Sequence, residues 1–155
     1  MSIAQNINEW LKQLGNDTGA TFKLDGNHQC ILASTNEYQT GIFVPDDSGK
    51  VYFTSEIMEL PQENREAYLL NSLGINLFQQ VTQGAAVSYD PTSNYLILSH
   101  TQEMLAKDYD EFESALNNII GVAKDIRENL QELAHKTPVS GTQSEEGSSA
   151  GLIRA

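Results

Sequence analysis

Along the first fourteen residues, Ile3, Ile7, Trp10, Leu11 and Leu14 recur at three- and four-residue steps, which is one stripe of a helix. Ser2 followed by Gln5 forms a capping box at its start, and Gly15 is placed to stop it. From Thr21 the period falls to two. Phe22 and Leu24 share a face, Asp25-Gly26 turns the chain, and a strand over Gln29 to Ser34 sets Cys30 and Leu32 against Ile31 and Ala33. Gly41 to Pro45 and Val51 to Thr54 pair around the polar turn Asp46-Asp47-Ser48-Gly49. After Gly84, Ala85 to Tyr89 turns at Asp90-Pro91-Thr92-Ser93-Asn94 into Tyr95 to His100. Asp108 with Glu111 caps a long last helix, whose Phe112, Leu116, Ile119, Ile120, Ala123, Ile126, Leu130 and Leu133 form a single core-facing stripe.

Between these blocks, Leu60 to Val81 reads as a helix of a different kind. Pro61 sits in its first turn, where a missing N–H costs nothing, and Glu63 lies near the positive end of the dipole. Projected at 100° per residue, Leu69, Leu73, Leu77, Leu70, Val81, Ala67, Phe78, Ile75 and Tyr68 cover roughly 260° of its circumference, well beyond the arc of an ordinary surface helix. Arg65, Ser72, Asn76 and Gln79 hold the narrow polar strip that remains. One small domain covers one side of a helix, so the other side calls for a partner, most simply a second copy of the chain. The order is helix, about four strands, helix, two strands, helix: an α+β domain with a twisted, mostly antiparallel sheet, a broad apolar helix and a long C-terminal helix.

Length and charge narrow the setting. The 155 residues make one domain, which the composition places at 1–135, while 136–155, rich in Thr, Pro, Ser, Gly, Gln and Glu, reads as a disordered tail. A formal charge of −12 argues against nucleic acid and anionic membranes, which select basic patches, and it keeps a chain with exposed apolar surface in solution. The single cysteine, Cys30, has no partner for an internal disulfide, Met1 to Gln5 lack a signal-peptide pattern, and no apolar run approaches a membrane span. These point to the cytoplasm.

Candidate chemistry is thin. His28, His100 and His135 have no second ligand at metal-type spacing, and Cys30 reads as a packed small hydrophobe. The two Asp-rich turns lack the glycine and the late glutamate of a calcium loop. Phosphate loops, dinucleotide fingerprints and nucleophile elbows are absent, so no catalytic, cofactor or metal residue is assigned. Apolar surface is the feature that needs explaining: Tyr95-Leu96-Ile97-Leu98 is apolar on both faces, and Ile31, Ala33, Ile42 and Val44 exceed what one stripe of the first helix covers.

In sequence, the first helix ending Leu14-Gly15, Phe22-Lys23-Leu24-Asp25-Gly26 running into Cys30-Ile31-Leu32, Leu60-Pro61 before Leu69-Leu70-Asn71-Ser72-Leu73-Gly74-Ile75-Asn76-Leu77, and Gly84 to Asp90 before Tyr95-Leu96-Ile97-Leu98 form an ordered set. That set, with the closing amphipathic helix, resembles the class I chaperones of bacterial type III secretion, the Tir-chaperone family. The resemblance spans about Ile3 to Leu133. It implies a cytoplasmic bacterial homodimer, without enzymatic activity or ATP, that holds the unfolded N-terminal segment of one or more secreted effectors until an export ATPase takes over. Carried onto this chain, it implies a dimer interface at Leu69, Leu73, Leu77, Val87, Tyr89 and Leu96. It also implies effector pockets and a pairing edge at Ile7, Leu11, Leu24, Ile31, Ala33, Ile42 and Val44. The tail from Lys136 receives no role. An acidic immunity or inhibitor protein neutralising a basic partner is the alternative the charge suggests; its binding would weaken steeply with salt, whereas pocket filling would not.

Overall fold

The computed structural model describes residues 2–33, 38–45 and 48–135. Helix α1 spans Ile3–Thr18, and strands β1 (Gln29–Ala33), β2 (Gln39–Phe43) and β3 (Lys50–Glu59) follow. Helix α2 (Arg65–Ile75) precedes a 3-10 turn at Leu77–Gln79, strands β4 (Ala86–Asp90) and β5 (Tyr95–Glu103), and helix α3 (Tyr109–His135). The strands form one antiparallel sheet in the order β1-β2-β3-β5-β4, so β1 and β4 are its edges.

Both expected capping boxes are formed. The Gln5 N–H donates to Ser2 Oγ at 3.3 Å while the Ser2 N–H donates to the Gln5 side chain at 2.9 Å. At α3 the Glu111 N–H donates to Asp108 Oδ1 at 3.0 Å and the Asp108 N–H to Glu111 Oε2 at 3.2 Å. Each satisfies helix-end donors that would otherwise have no intrahelical partner.

Helix α1 runs past Gly15, however, and ends at Gly19, which takes the left-handed conformation at φ 74°. Gly15 serves instead where the chain folds back. Its carbonyl accepts from the Ala20 N–H at 2.9 Å, and a Cβ there would stand 2.5 Å from the Ala20 oxygen. The next segment also departs from expectation, because residues 21–24 pair with no strand. The Leu24 N–H donates to Asn8 Oδ1 at 2.9 Å, so the alternation of Phe22 and Leu24 reflects packing beside α1 rather than a ladder. Among the described residues three strands therefore precede α2, against the expected four or so. The turn at Asp46-Asp47 and the end of the first strand at Ser34 fall outside the described residues, as does 136–155.

Helices α1 and α3 cover one face of the sheet. Phe112 of α3 meets Trp10 of α1 at 5.5 Å and Phe53 of β3 at 6.0 Å between ring centroids. Around this contact, Ile7, Leu11, Cys30, Ile42, Val51, Leu98 and Ile126 are buried, and burial pushes the Cys30 thiol above its ordinary pKa. Strand β3 carries a bulge between Glu56 and Met58 that turns both Ile57 and Met58 inward. Arg127 of α3 closes it, donating to the carbonyls of Ile57 and, at 3.0 Å, Glu56, with its guanidinium 3.5 Å over the Tyr38 ring. A planar cation with fixed donors suits two converging carbonyls and an aromatic face.

Replacing Gly15 by Ala forces that return of the chain apart. Gly15→Ala is expected to cost about 2 kcal/mol, the range of overpacked sites, read as a lowered urea midpoint with an unchanged slope.

Candidate protein-binding surfaces

Helix α2 is shorter than its apolar run. Leu60 belongs to the core, with its N–H bonded to the Asn94 carbonyl at 2.8 Å, and Pro61 lies ahead of a helix that begins at Arg65. Asn64, in a left-handed conformation, precedes the first turn. At the other end the helix breaks at Asn76, whose side chain leaves the helical path to bond β4.

What holds α2 down is Tyr68, buried in the core with Leu69 and Ile75 packed against it, together with the helix's polar strip. Arg65 donates to Asn94 Oδ1 at 3.1 Å and to the Tyr89 hydroxyl at 2.6 Å, with its guanidinium 5.4 Å from the Tyr89 ring centroid. Tyr89 donates in turn to Asn94 Oδ1, and the Asn94 amide donates to the Leu60 carbonyl at 3.0 Å. Ser72 is buried but satisfied, since its hydroxyl donates to the Tyr68 carbonyl one turn back at 2.7 Å. Asn76 makes two bonds to Val87: its Nδ2 donates to the carbonyl at 2.9 Å and its Oδ1 accepts from the N–H at 2.7 Å. Of the four residues of that strip, Arg65, Ser72 and Asn76 thus face the domain and only Gln79 is exposed.

The consequence is a helix with apolar residues on its outer side as well as on its inner one. Leu70 and Leu73 of α2, Leu77 of the 3-10 turn and Val81 just beyond it are 60%, 67%, 65% and 52% exposed, at steps of three and four in sequence. Full burial of such side chains is worth roughly 1.5–3 kcal/mol each, a large driving force left unused by the protomer. Of the residues assigned to an interface from sequence, Leu73 and Leu77 lie in this row, Leu69 is half-buried beside it, and Tyr89 is partly exposed at its end. Val87 and Leu96 do not belong there: both are buried beneath α2 and α3, since the inward parity of β4 and β5 spends them on the core. Leu70 and Val81 were missed, although their helical spacing to Leu73 and Leu77 is plain in the sequence.

A second apolar surface lies at the β1 edge. The Val44 N–H donates to the His28 carbonyl at 3.0 Å, so by alternation the backbone groups of Gln29, Ile31 and Ala33 point away from β2. Asp25 occupies those of Gln29, donating its own N–H to the carbonyl at 2.7 Å and accepting the Gln29 N–H on Oδ1 at 2.9 Å. Ile31 follows, with a side chain that is 63% exposed. The same outer face carries Phe43 and Tyr52, whose rings pack at 5.9 Å. Beside the edge opens a cleft of about 590 Å³ lined by Ile3, Ala4, Leu24, Val44, Pro45 and Leu105, with Asp25 and His28 among its polar residues.

Three of the seven residues expected to contact an effector are consumed by the core. Ile7, Leu11 and Ile42 are fully buried, because the stripe that makes α1 amphipathic is the one that packs on the sheet. Ile42 lies opposite Cys30 and shares its inward parity, so it is on the other face from Ile31. Leu24 and Val44, though buried, line the cleft, and Ile31 is free at the edge; the Ala33 side chain lies outside the described residues. Ile3, Leu105, Phe43 and Tyr52 were missed. For Phe43 and Tyr52 the signal was present, since each alternates with a buried neighbour.

Among the described residues no group of three or more His, Cys, Asp or Glu side chains is placed to hold a metal ion, and no helix is long and apolar enough to cross a membrane. No curated protein matches the chain. In solved structures the fold recurs. A chain of the ExsC–ExsE complex superposes with a TM-score of 0.67 at 13% identity, over 84% of this chain and 97% of that one. The HopA1–SchA chaperone–effector complex gives 0.61 at 10% identity over 81% and 95%. The heterodimeric ExoU–SpcU complex of the Pseudomonas aeruginosa type III secretion system gives 0.54 at 19% over 82% and 96%. At these identities the likeness is one of fold. The sequence pattern of the Tir chaperone protein (CesT) family matches residues 9–127, from within α1 to within α3 and so across every strand and both surfaces. The chain belongs to the Tir chaperone protein (CesT) family.

Proposed function

We propose that this protein is a cytoplasmic, non-enzymatic type III secretion chaperone that acts as a homodimer and holds the N-terminal segment of an effector in an unfolded, exportable state. The observation that carries the reading is the division of its exposed apolar surface into two parts of different kind. The row from Leu70 to Val81 runs along α2, through the 3-10 turn and just past it as an exposed aliphatic surface, suited to another folded surface. The β1 edge combines outward backbone groups with a cleft and an aromatic face, suited to an extended chain that adds a strand and seats side chains. Main-chain bonds make such binding tolerant of sequence, and pockets supply register. One structural neighbour, HopA1–SchA, is a chaperone–effector complex, which supports this reading. On this reading Leu70, Leu73, Leu77 and Val81 meet the second copy, and Ile31 with the cleft at Leu24 and Val44 meets the effector.

The decisive experiment is affinity capture of the tagged chain from its own bacterium under secretion-inducing conditions, with mass spectrometry and limited proteolysis. A secreted protein protected only along an N-terminal stretch supports the chaperone. A compact basic toxin protected throughout, released by high salt, overturns it in favour of an inhibitor.

Dimerisation predicts a light-scattering mass near twice the 17.1 kDa of the chain at micromolar concentration. Leu73→Asp is expected to halve that mass while shifting protomer stability by no more than about 0.5 kcal/mol, since the side chain is exposed in the protomer. An Ile31→Pro variant removes one outward N–H at the edge and no ladder bond. It should leave the mass unchanged and weaken binding of the captured segment at least about tenfold, or about 1.4 kcal/mol, by calorimetry.

A further inference from the structure

The two edges of the sheet are treated unequally. On β4, the outward row of backbone groups is Ala85, Val87 and Tyr89, because Asn76 reaches both the N–H and the carbonyl of Val87 from outside the sheet. The Ala85 N–H is already spent on the Thr82 carbonyl at 3.1 Å. Asn76 closes the middle of the row with the bond pair that a neighbouring strand would make, an N–H donor and a C=O acceptor on one planar amide. Tyr89 is then the single outward position left, and its side chain is engaged by Arg65 and Asn94. An incoming strand needs consecutive outward residues, two apart, to gain more than one bond pair. On β1 the same kind of closure, by Asp25, stops at Gln29 and leaves Ile31 and Ala33.

We propose that Asn76 makes strand addition to this sheet one-sided: its amide stands in for a strand on β4, so that added chains are directed to β1. The inference rests on the strand-adding reading of the β1 edge and deepens it, by naming what determines which edge is used. It also assigns Asn76 a role that capping alone does not require, since a helix end needs a partner for its carbonyls and not a paired bond to an edge strand.

The tests use the free protein and need no effector. Hydrogen exchange of the wild-type chain, corrected for intrinsic rates, should show the Val87 amide protected at least tenfold more than the Tyr89 amide. Equal exchange at the two overturns the proposal. Asn76→Ala should expose Val87 to exchange and produce species larger than any wild-type species in sedimentation velocity at tens of micromolar, with the far-ultraviolet spectrum retained. A folded Asn76→Ala chain that sediments as wild type overturns it, and so does one that is merely less stable without larger species. Should Asn76→Ala fail to fold, Asn76→Asp keeps the acceptor for the Val87 N–H and removes the donor to its carbonyl. Larger species from that variant support the proposal, and wild-type sedimentation overturns it. Failure to recover an effector would leave these results unaffected, and failure here would leave the β1 site standing.

Discussion

The hydrogen bonds from Arg65 at one end of α2 and Asn76 at the other hold that helix with its polar strip toward the domain, and much of the surface follows from this orientation. Each polar group on the strip finds a partner, so burying it costs little, while the aliphatic groups opposite go unspent. Docked by Tyr68, Leu69 and Ile75 as well as by its polar strip, the helix leaves Leu70 and Leu73, with Leu77 and Val81 beyond its end, facing outward. The burial free energy of these side chains is available for association rather than for folding.

The domain folds without it because α1 and α3 suffice for the other layer. Phe112 sits between Trp10 and Phe53, and the stripes of both helices are filled by the inward faces of the strands. With both helices on one side, the opposite face of the sheet keeps Phe43 and Tyr52 exposed. An edge with outward backbone groups beside an exposed apolar face is ordinarily a hazard that proteins blunt. Here blunting is applied in places: Asp25 trims β1 at Gln29, and Asn76 shuts β4 at Val87. A net charge of −12 adds general repulsion between copies outside the contact surfaces.

Local chemistry was read correctly at several caps and turns, though not at the start of α2, where Pro61 read as part of the first turn and the helix begins at Arg65. Capping boxes at Ser2 and Asp108, the turn closed by Asp25-Gly26 and the turn from Asp90 to Asn94 each depend on residues a few positions apart, and all are present. Where a reading required knowing what lay across the fold, it failed. Gly15 looked like a helix stop, but the chain needed it for close approach of Ala20, and Gly19 ends the helix. Phe22 and Leu24 alternate like a strand with no ladder to join. Ile7, Leu11 and Ile42 were carried onto the effector site from the family resemblance, yet their apolar, periodic placement puts them in the core.

By itself, the sequence determined most of the element types and their order, the two capping boxes and several turns, the acidity of the chain and the excess of apolar residues over what one protomer buries. These depend on short-range periodicity and composition, which a linear string records in full. Only the tertiary structure decided which apolar residues were the surplus. That choice turned on Asn76 reaching Val87 and Arg65 reaching Tyr89 and Asn94, contacts between residues 11, 24 and 29 positions apart. A periodic pattern shows how many faces of a helix are apolar; the direction in which the helix is fastened depends on partners elsewhere in the chain, and no local pattern encodes it.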